Sequence, residues 1–506
     1  MARFDEIRRV SRHLARGGLA LLIALAFLAA SAQAAPRPPL QHEERWFTDD
    51  RGRVVILRGF NLVYKVNSYR PQDTGFGRDD ARFLRRHGFN SIRLGVILKG
   101  LEPEPPGPDG RPGYRNDYIR SLARTERTLA RHGVFTLLDF HQDLYNERFE
   151  GEGWPDWQTI DDGVPSEPKQ GFPTNYVVNA GLQRAFDNFW ANTEVAGRGL
   201  QDAYADAWRR IAVKFRSKPF VMGYDLINEP WPGSAFGPQG CGNPAGCPLF
   251  DSTTLTEFSI RVLNAIRTVD PMTLVFYEPL VTFDFGADTS HGDTGDAQAG
   301  FSFHNYCLPG AFGGPGSGGG CEELEEMVFS NADKQAEETG DVPFLTEFGA
   351  TDDLETIERI VRLSDEHLVS WQYWHYCDCE DPTTSGPGIQ SLVIDPSKPP
   401  RGENLKRDKL LVLARPYPRA VAGTPTELGF DPDTRELELA YSTRLPDGTR
   451  APRRLDTEVF LPRIQYPGGY RVRVEGGRVV SERGARVLRI ERRQRADEVT
   501  VTVRTR

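Results

Sequence analysis

The chain has 506 residues, 39% of them hydrophobic and 26% charged, which is enough apolar material for a large buried core. That length suggests more than one domain, although a single α/β barrel can take over half of it. The formal net charge is −9, which argues against a nucleic-acid partner, because such a partner needs a basic face.

Residues 1–35 read as a leader. Arg3, Arg8, Arg9, Arg12 and Arg16 form a positive n-region, "LALLIALAFLAA" an apolar core, and "SAQAA" a small-residue cleavage site near Ala34. The pattern is that of a secretory signal peptide, and the apolar run is short for the ~20 residues of a membrane span. The expectation is a secreted protein, with cell-surface association as a variant of it. Fold reasoning therefore starts at residue 36.

From there to about residue 376, short apolar runs alternate with helical patterns. The runs cover 54–63, 91–97, 135–140, 221–229, 274–279, 301–306, 342–349 and 369–376. Each is rich in Val, Ile, Leu, Phe and Tyr and nearly continuous in hydrophobicity, as strands buried on both faces should be. Between them, "DDARFLRRHG" and "DYIRSLARTERTLARHG" both end in His-Gly. A basic last turn followed by a glycine cap is a helix stop. "STTLTEFSIRVLNAIRTVDP" pairs Thr254 with Glu257 as a capping box and stops at Pro271. Eight strands alternating with helices predict an α/β fold, a (β/α)8 TIM barrel over residues 36–415. An open doubly wound sheet ranks second, because no Gly-x-Gly-x-x-Gly turn follows the first strand.

Six cysteines lie beyond the leader: Cys241, Cys247, Cys307, Cys321, Cys377 and Cys379. An even number in an exported chain reads as disulfides. Zinc is the rival, but these spacings do not match the common paired knuckles. Bridges 241–247 and 307–321 are the natural local pairs, though spacing alone leaves connectivity open. The second would staple "PGAFGGPGSGGG" (309–320) into a loop after the sixth strand. From residue 416 to 506 the texture becomes Thr, Val, Arg, Gly and Pro with period-two stretches such as "RELELAYST" and "EVTVTVRT", which predicts a small antiparallel β-sandwich. "LLVLARPYP" leaves almost no linker before it, so the sandwich is expected to buttress the barrel.

In a (β/α)8 barrel, chemistry gathers at the C-terminal ends of the strands. The polar and aromatic residues there are Lys65 after the first strand, Arg93 within the second, and His141 and Asp143 after the third. Asn228 and Glu229 end the fourth, His304 and Tyr306 the sixth, and Glu347 the seventh, while Trp371 and Trp374 lie on the eighth. A carboxylate at the mouth of a hydrophobic strand is costly unless paired or employed. Glu229 and Glu347 lie across the mouth from each other, the arrangement glycoside hydrolysis needs: one carboxyl protonated to release the leaving oxygen, one ionised to attack the sugar. Arg93 and Tyr306 are suited to hold Glu347 ionised, and Asn228 to bind a sugar hydroxyl. His141 and His304 are suited to bond hydroxyls, and Trp374 to face a sugar ring. The alternative is that His141 and Asp143 bind a metal with His304, but no third obvious ligand accompanies them. Neither a metal nor an organic cofactor is expected.

"GYDLINEP" followed by "FLTEFG" resembles glycoside hydrolase family 5. The resemblance implies that Glu229 is the acid/base and Glu347 the nucleophile, with Arg93, His141, His304, Tyr306 and Trp374 in matching strand contexts. "RGFNLVYK", "LLDFHQDLY", "GYDLINEPWPG", "CGNPAGCP", "FLTEFGAT" and "QYWHYCD" are similar, more narrowly, to the endoglycoceramidases. That similarity implies a retaining endo-glycosidase cutting between glycan and ceramide in glycosphingolipids, with Lys65, His141 and Asp143 on the first sugar. Trp154, Trp157, Phe172, Trp231, Phe236 and Phe250, on the loops after strands three and four, are expected as exposed aromatics for an apolar chain. A transient membrane contact and a monomer are expected. The alternatives are another retaining family 5 β-glycanase, a galactosylceramide-preferring glycosidase, and a non-catalytic carbohydrate- or membrane-binding barrel.

Overall fold

The computed structural model describes residues 36–237, 241, 246–307, 321–384 and 386–506. The leader and the glycine-rich segment 309–320 lie outside the described residues. Among the described residues no helix is long and apolar enough to cross a membrane.

Eight parallel strands close a barrel: β1 (Arg58–Leu62), β2 (Ser91–Val96), β3 (Phe135–Phe140), β4 (Val221–Asp225), β5 (Leu274–Tyr277), β6 (Ala299–Asn305), β7 (Val342–Phe348) and β8 (Ser370–Tyr373). Each pairs with its sequence neighbours, and β8 closes on β1 through Trp371↔Arg58. Every residue of these strands is buried, which is why they read as continuous apolar runs rather than as alternation.

Helices cover the outside. They include α1 (Arg78–His87), α2 (Asn116–Ala130), α3 (Leu200–Phe215), α4 (Thr256–Arg267), α5 (Cys321–Thr339), α6 (Leu354–Glu366) and α7 (Arg407–Leu413). Gly88 ends α1 at φ +93°, as the His-Gly signal predicts. Three expectations are corrected. The Thr254–Glu257 capping box does not form: the helical backbone already starts at Pro248, and Thr254 lies inside a π-helical stretch, Asp251–Leu255. Strand four stops at Asp225 rather than 229, and strand one starts at Arg58 rather than 54, because Val54 pairs with Val421 of the C-terminal region. The β5-to-β6 connection carries a 3₁₀ turn, Val281–Phe285, where a barrel helix would stand.

A short hairpin, Gln41–Glu43 with Trp46–Thr48, plugs the N-terminal end of the barrel. Its Phe47 packs against Phe344 and Phe276 from the barrel interior, with centroids 5.3 and 6.0 Å away. Two antiparallel sheets follow the barrel. One runs β9-β12-β15-β14 (Tyr417–Ala420, Asp456–Phe460, Val487–Arg492, Gly477–Val479), and the other β10-β11-β16-β13 (Thr424–Asp431, Glu436–Ser442, Glu498–Thr505, Tyr470–Glu475). Their shared core takes in Val54, Ile56 and Trp46 from the barrel side. Buried Arg53 bonds Asp49 on its own side and Glu458 on β12 at 3.0 Å. Residues Arg37–Arg506 accordingly form one compact unit. Three disulfides, Cys241–Cys247, Cys307–Cys321 and Cys377–Cys379, are all local.

Candidate active site

Arg93 on β2 organises the barrel mouth. It is fully buried, so its charge must be met within the protein. Its Nε donates to Asp225 (2.8 Å), its Nη1 to Glu347 (2.5 Å), and its Nη2 to Glu278 (2.7 Å) and Asn228 (3.0 Å), with Asp139 Oδ1 also 3.0 Å from Nη2. Four other strands or their ends, β3, β4, β5 and β7, are thus tied to one guanidinium, whose planar fork makes such sharing feasible.

Glu347, on β7, accepts a second hydrogen bond from Tyr306 Oη at 3.0 Å. Its register partner on β6 is His304, just past a register shift at Phe303/His304. His304 Nδ1 lies 2.9 Å from Glu229 Oε1 and 3.8 Å from Glu347 Oε2. Ligating atoms of Glu229, His304 and Glu347 all fall within 4.8 Å of one another. This is the short carboxyl spacing of retaining glycosidases, about 5–5.5 Å, and too close for the inverting arrangement.

Glu229 sits four residues beyond β4 in a left-handed backbone, φ +42°, a conformation that costs a non-glycine residue about 1–3 kcal/mol. Neighbouring bonds overdetermine the turn. The Glu229 N–H donates to Glu278 Oε2 (2.8 Å), and Gln142 Nε2 donates to the carbonyls of both Asn228 and Glu229. Burial pushes the Glu229 carboxyl up to about 7, with Asp143 adding to the push and His141 and Lys65 opposing it. Burial also raises Glu347, against the pull of His304 and Arg93. Burial lowers His304 to about 4, so it is neutral at pH 7.

The mouth opens into a cavity of about 460 Å³ whose lining combines two sets of residues. One is polar, Lys65, Asp143, Thr383 and Gln390 with Trp374; the other is aromatic or aliphatic, Phe172, Tyr176, Trp231, Phe236, Val281 and Phe285; Glu229 and Glu347 also line it. Lys65 donates to Asp143 (2.6 Å) and Thr383 (2.7 Å), lies 3.2 Å from Asp381, and stands 4.4 Å over the Trp374 ring. Burial works against the His141 charge, but Asp139 and Asp143 win and hold its pKa up at about 10.

The structure brings every predicted site residue except Trp371 to one end of the barrel. Trp371 is fully buried against Phe89 and Phe348 and takes no part. Of the aromatics expected on the rim, Phe172, Trp231 and Phe236 line the cavity. Trp154 is buried in a stack with Tyr145, Phe250 packs on Trp190, and the Trp157 indole N–H donates to Glu102 O. His141 and Asp143 do gather a third candidate ligand, but it is Glu152 rather than His304. Lys65 stands among these groups, 2.6 Å from Asp143 and 3.8 Å from Glu152, and occupies their charge. Sequence reasoning passed over Asp139, Asp225, Glu278, Asp284 and Asp381. The signal for Glu278 was present: "FYEP" ends strand five as "INEP" ends strand four.

Comparison with known proteins agrees with this geometry. The family profile "Cellulase (glycosyl hydrolase family 5)" matches residues 48–380, and "Glycoside hydrolase family 5 C-terminal domain" matches 415–504. Endoglycoceramidase I of Rhodococcus hoagii (strain 103S) is 32% identical over 471 residues, covering 90% of this chain and 86% of the relative. Endo-glycoceramidase II from Rhodococcus sp. has been solved with ganglioside GM3 (TM-score 0.73) and as a lactosyl-enzyme intermediate (TM-score 0.71). Each is 30% identical and covers 90% of this chain, and 98% and 99% of the respective solved chain.

Proposed function

The chain belongs to glycoside hydrolase family 5 as an endoglycoceramidase-like member, and from that premise we propose that it hydrolyses the β-glycosidic bond between oligosaccharide and ceramide in glycosphingolipids. The observation that carries this reading is that the carboxyl pair opens into one cavity lined by both a polar and an apolar set of residues. A glycolipid presents both characters at its scissile bond. An extended β-glycan would call for sugar-binding groups throughout, and the aromatic and aliphatic set disfavours it.

The reaction is double displacement with retention. The sugar binds against Lys65, Asp143 and Trp374, and Asn228 stands beside its 2-hydroxyl. Glu347, held by Arg93 and Tyr306, attacks the anomeric carbon. Glu229 gives its proton to the departing ceramide oxygen, and a covalent glycosyl-enzyme forms. Glu229, now ionised, takes a proton from water as that water attacks the anomeric carbon and displaces Glu347. His304, neutral at pH 7, spans the two carboxyls.

The protein is read as exported. The leader pattern in residues 1–35 and the three disulfides support this. A monomer suffices for this reaction, since both carboxyls, their cation and the cavity lining come from one chain. Val177 and Ile389, 57% and 39% exposed, stand on the cavity rim and are suited to brief contact with a membrane surface. The test is incubation with lactosylceramide and with a ganglioside, followed by analysis for free ceramide and intact oligosaccharide. Glu347→Gln should release neither while keeping the parental melting temperature. Near-parental turnover by that variant would overturn the assignment.

A further inference from the structure

The mechanism leaves several buried carboxyls at the mouth unused, and Asp284 is one of them. Asp284 lies in the 3₁₀ turn Val281–Phe285 after β5 and is 3% exposed. Its carbonyl accepts the Tyr306 N–H at 3.0 Å, which fixes the turn against the end of β6. Its Oδ2 is buried and takes no hydrogen bond from any N–H or O–H donor among the described residues. His304 Nδ1 is no remedy, because it is 3.8 Å away and already 2.9 Å from Glu229 Oε1. An ionised carboxylate buried without donors is expensive, and a proton of its own removes the expense. Asp284 has a neighbour for that proton: its carboxyl and that of Glu229 converge on one atom, His304 Nδ1, at 3.8 and 2.9 Å, and each shifts the other's pKa.

We propose that Asp284 is a positioning residue that stays protonated and donates its O–H to Glu229, so that the acid/base carboxyl is steadied in its ionised form. This rests on the reading of Glu229 as acid/base. Two carboxyls in contact do not both ionise, and their surroundings decide which keeps the proton. Asp284 faces Glu229 from β4, Glu347 from β7, His304 from β6 and the Arg93 charge from β2. Burial, Glu229 and Glu347 all push its pKa well up, and Arg93 pulls against them. Glu229 has more help in ionising: Lys65 and His141 pull its pKa down, and so does the bond from Asp284, against Asp143. Glu278 accepts the Glu229 N–H and leaves its carboxyl free. When Glu229 has given its proton to the leaving oxygen, the new carboxylate therefore meets an O–H already aimed at it, and the same bond holds it for the attack on water. The turn also carries Val281 and Phe285 of the apolar wall, so a bound lipid chain packs on the element that holds this donor and keeps water from it.

The test is the pH dependence of kcat/KM on lactosylceramide for the parent, Asp284→Ala and Asp284→Asn. The descending alkaline limb reports loss of the Glu229 proton. Asp284→Ala removes the donor, so the limb should move up by about one pH unit. Asp284→Asn is isosteric, keeps an N–H donor and carries no charge, so the limb should stay in place. If Asp284 were an ionised neighbour of Glu229, both variants would move the limb down, and that result would overturn the proposal. An unmoved limb in Asp284→Ala would overturn it as well. The underlying reading fails separately: it fails if Glu229→Gln keeps near-parental turnover of lactosylceramide, whatever the Asp284 variants do.

Discussion

Replacing Arg93 with methionine tests the electrostatic account of the mouth most directly. Methionine fills much of the volume but leaves Asp139, Asp225, Glu278 and Glu347 without the cation they share. Removing one partner of a buried ion cluster costs about 3–5 kcal/mol. Unfolding entropy runs to about 2.1 cal/mol/K per residue. For the compact unit Arg37–Arg506, that loss lowers the melting temperature by about 3–5 °C at neutral pH. The sign of the pH dependence follows from the same groups. Burial pushes Asp225 up to about 6 and raises Glu278 and Glu347, while Arg93 pulls all of them back. Without Arg93 their folded pKa values climb further above the unfolded ones. Groups raised in this way stabilise fully below the unfolded pKa, and the contribution is lost as pH rises through the folded value. The deficit should therefore be small at pH 5 and full at pH 8. Arg93→Lys should recover part of it, since one ammonium cannot reach carboxylates set around a planar fork. Calorimetry of the three proteins at both pH values decides the matter. A deficit equal at pH 5 and pH 8, or absent at both, would refute the reasoning.

The parent's own activity should fall above about pH 7. On the proposed mechanism Glu229 must be protonated to release ceramide, and burial puts its pKa at about 7; a pH series of kcat/KM on lactosylceramide checks this. Trp231→Ala removes part of the apolar wall, which at about 1.5–3 kcal/mol per large apolar side chain should lower kcat/KM on lactosylceramide by roughly 10- to 100-fold. Turnover of a water-soluble aryl lactoside, which lacks the lipid chain, should change little in the same assay. Gly88→Ala should lower the melting temperature without changing KM. Gly88 has φ +93°, and a Cβ there would lie 2.4 Å from the Phe460 ring of the sandwich.

The barrel was legible because its strands are buried on both faces, so their composition alone marks them. "VPFLTEFG" and "VMGYDLINE" can hardly be read otherwise. The facing carboxyl pair was legible because each Glu interrupts such a run at its end. Strand limits were not legible where chain neighbours change partners: Val54 looks like barrel strand, yet it pairs with Val421, some 360 residues later. The capping box failed because a local motif gives no notice that the helix already began at Pro248. Asp139 and Asp225 were missed for the opposite reason from Glu229. They sit inside apolar strands and pass for tolerated exceptions until the fold shows Arg93 between them. Asp284 lies in a turn whose "VTFDF" pattern resembles ordinary packing. Its meaning depends on contact with Glu229, more than fifty residues earlier in the chain.

Charge balance at the mouth explains why a protein would bury so many acids together. Arg93, Lys65 and protonated His141 are the cations that meet them. They are outnumbered by Asp139, Asp143, Glu152, Asp225, Glu229, Glu278, Asp284, Glu347 and Asp381, all buried or nearly so. A site with that imbalance in a poor dielectric retains protons at a pH where free carboxyls have lost them. Glu152, Glu278 and Asp284 are accordingly pushed well up, chiefly by burial. Glu229 is the member of this set beside both the cavity and Glu347, so on the proposed mechanism it is the one whose retained proton can reach a leaving oxygen. Its acidity is therefore a property of its charged surroundings, and neutralising Asp143, which pushes its pKa up, should make Glu229 a weaker proton store.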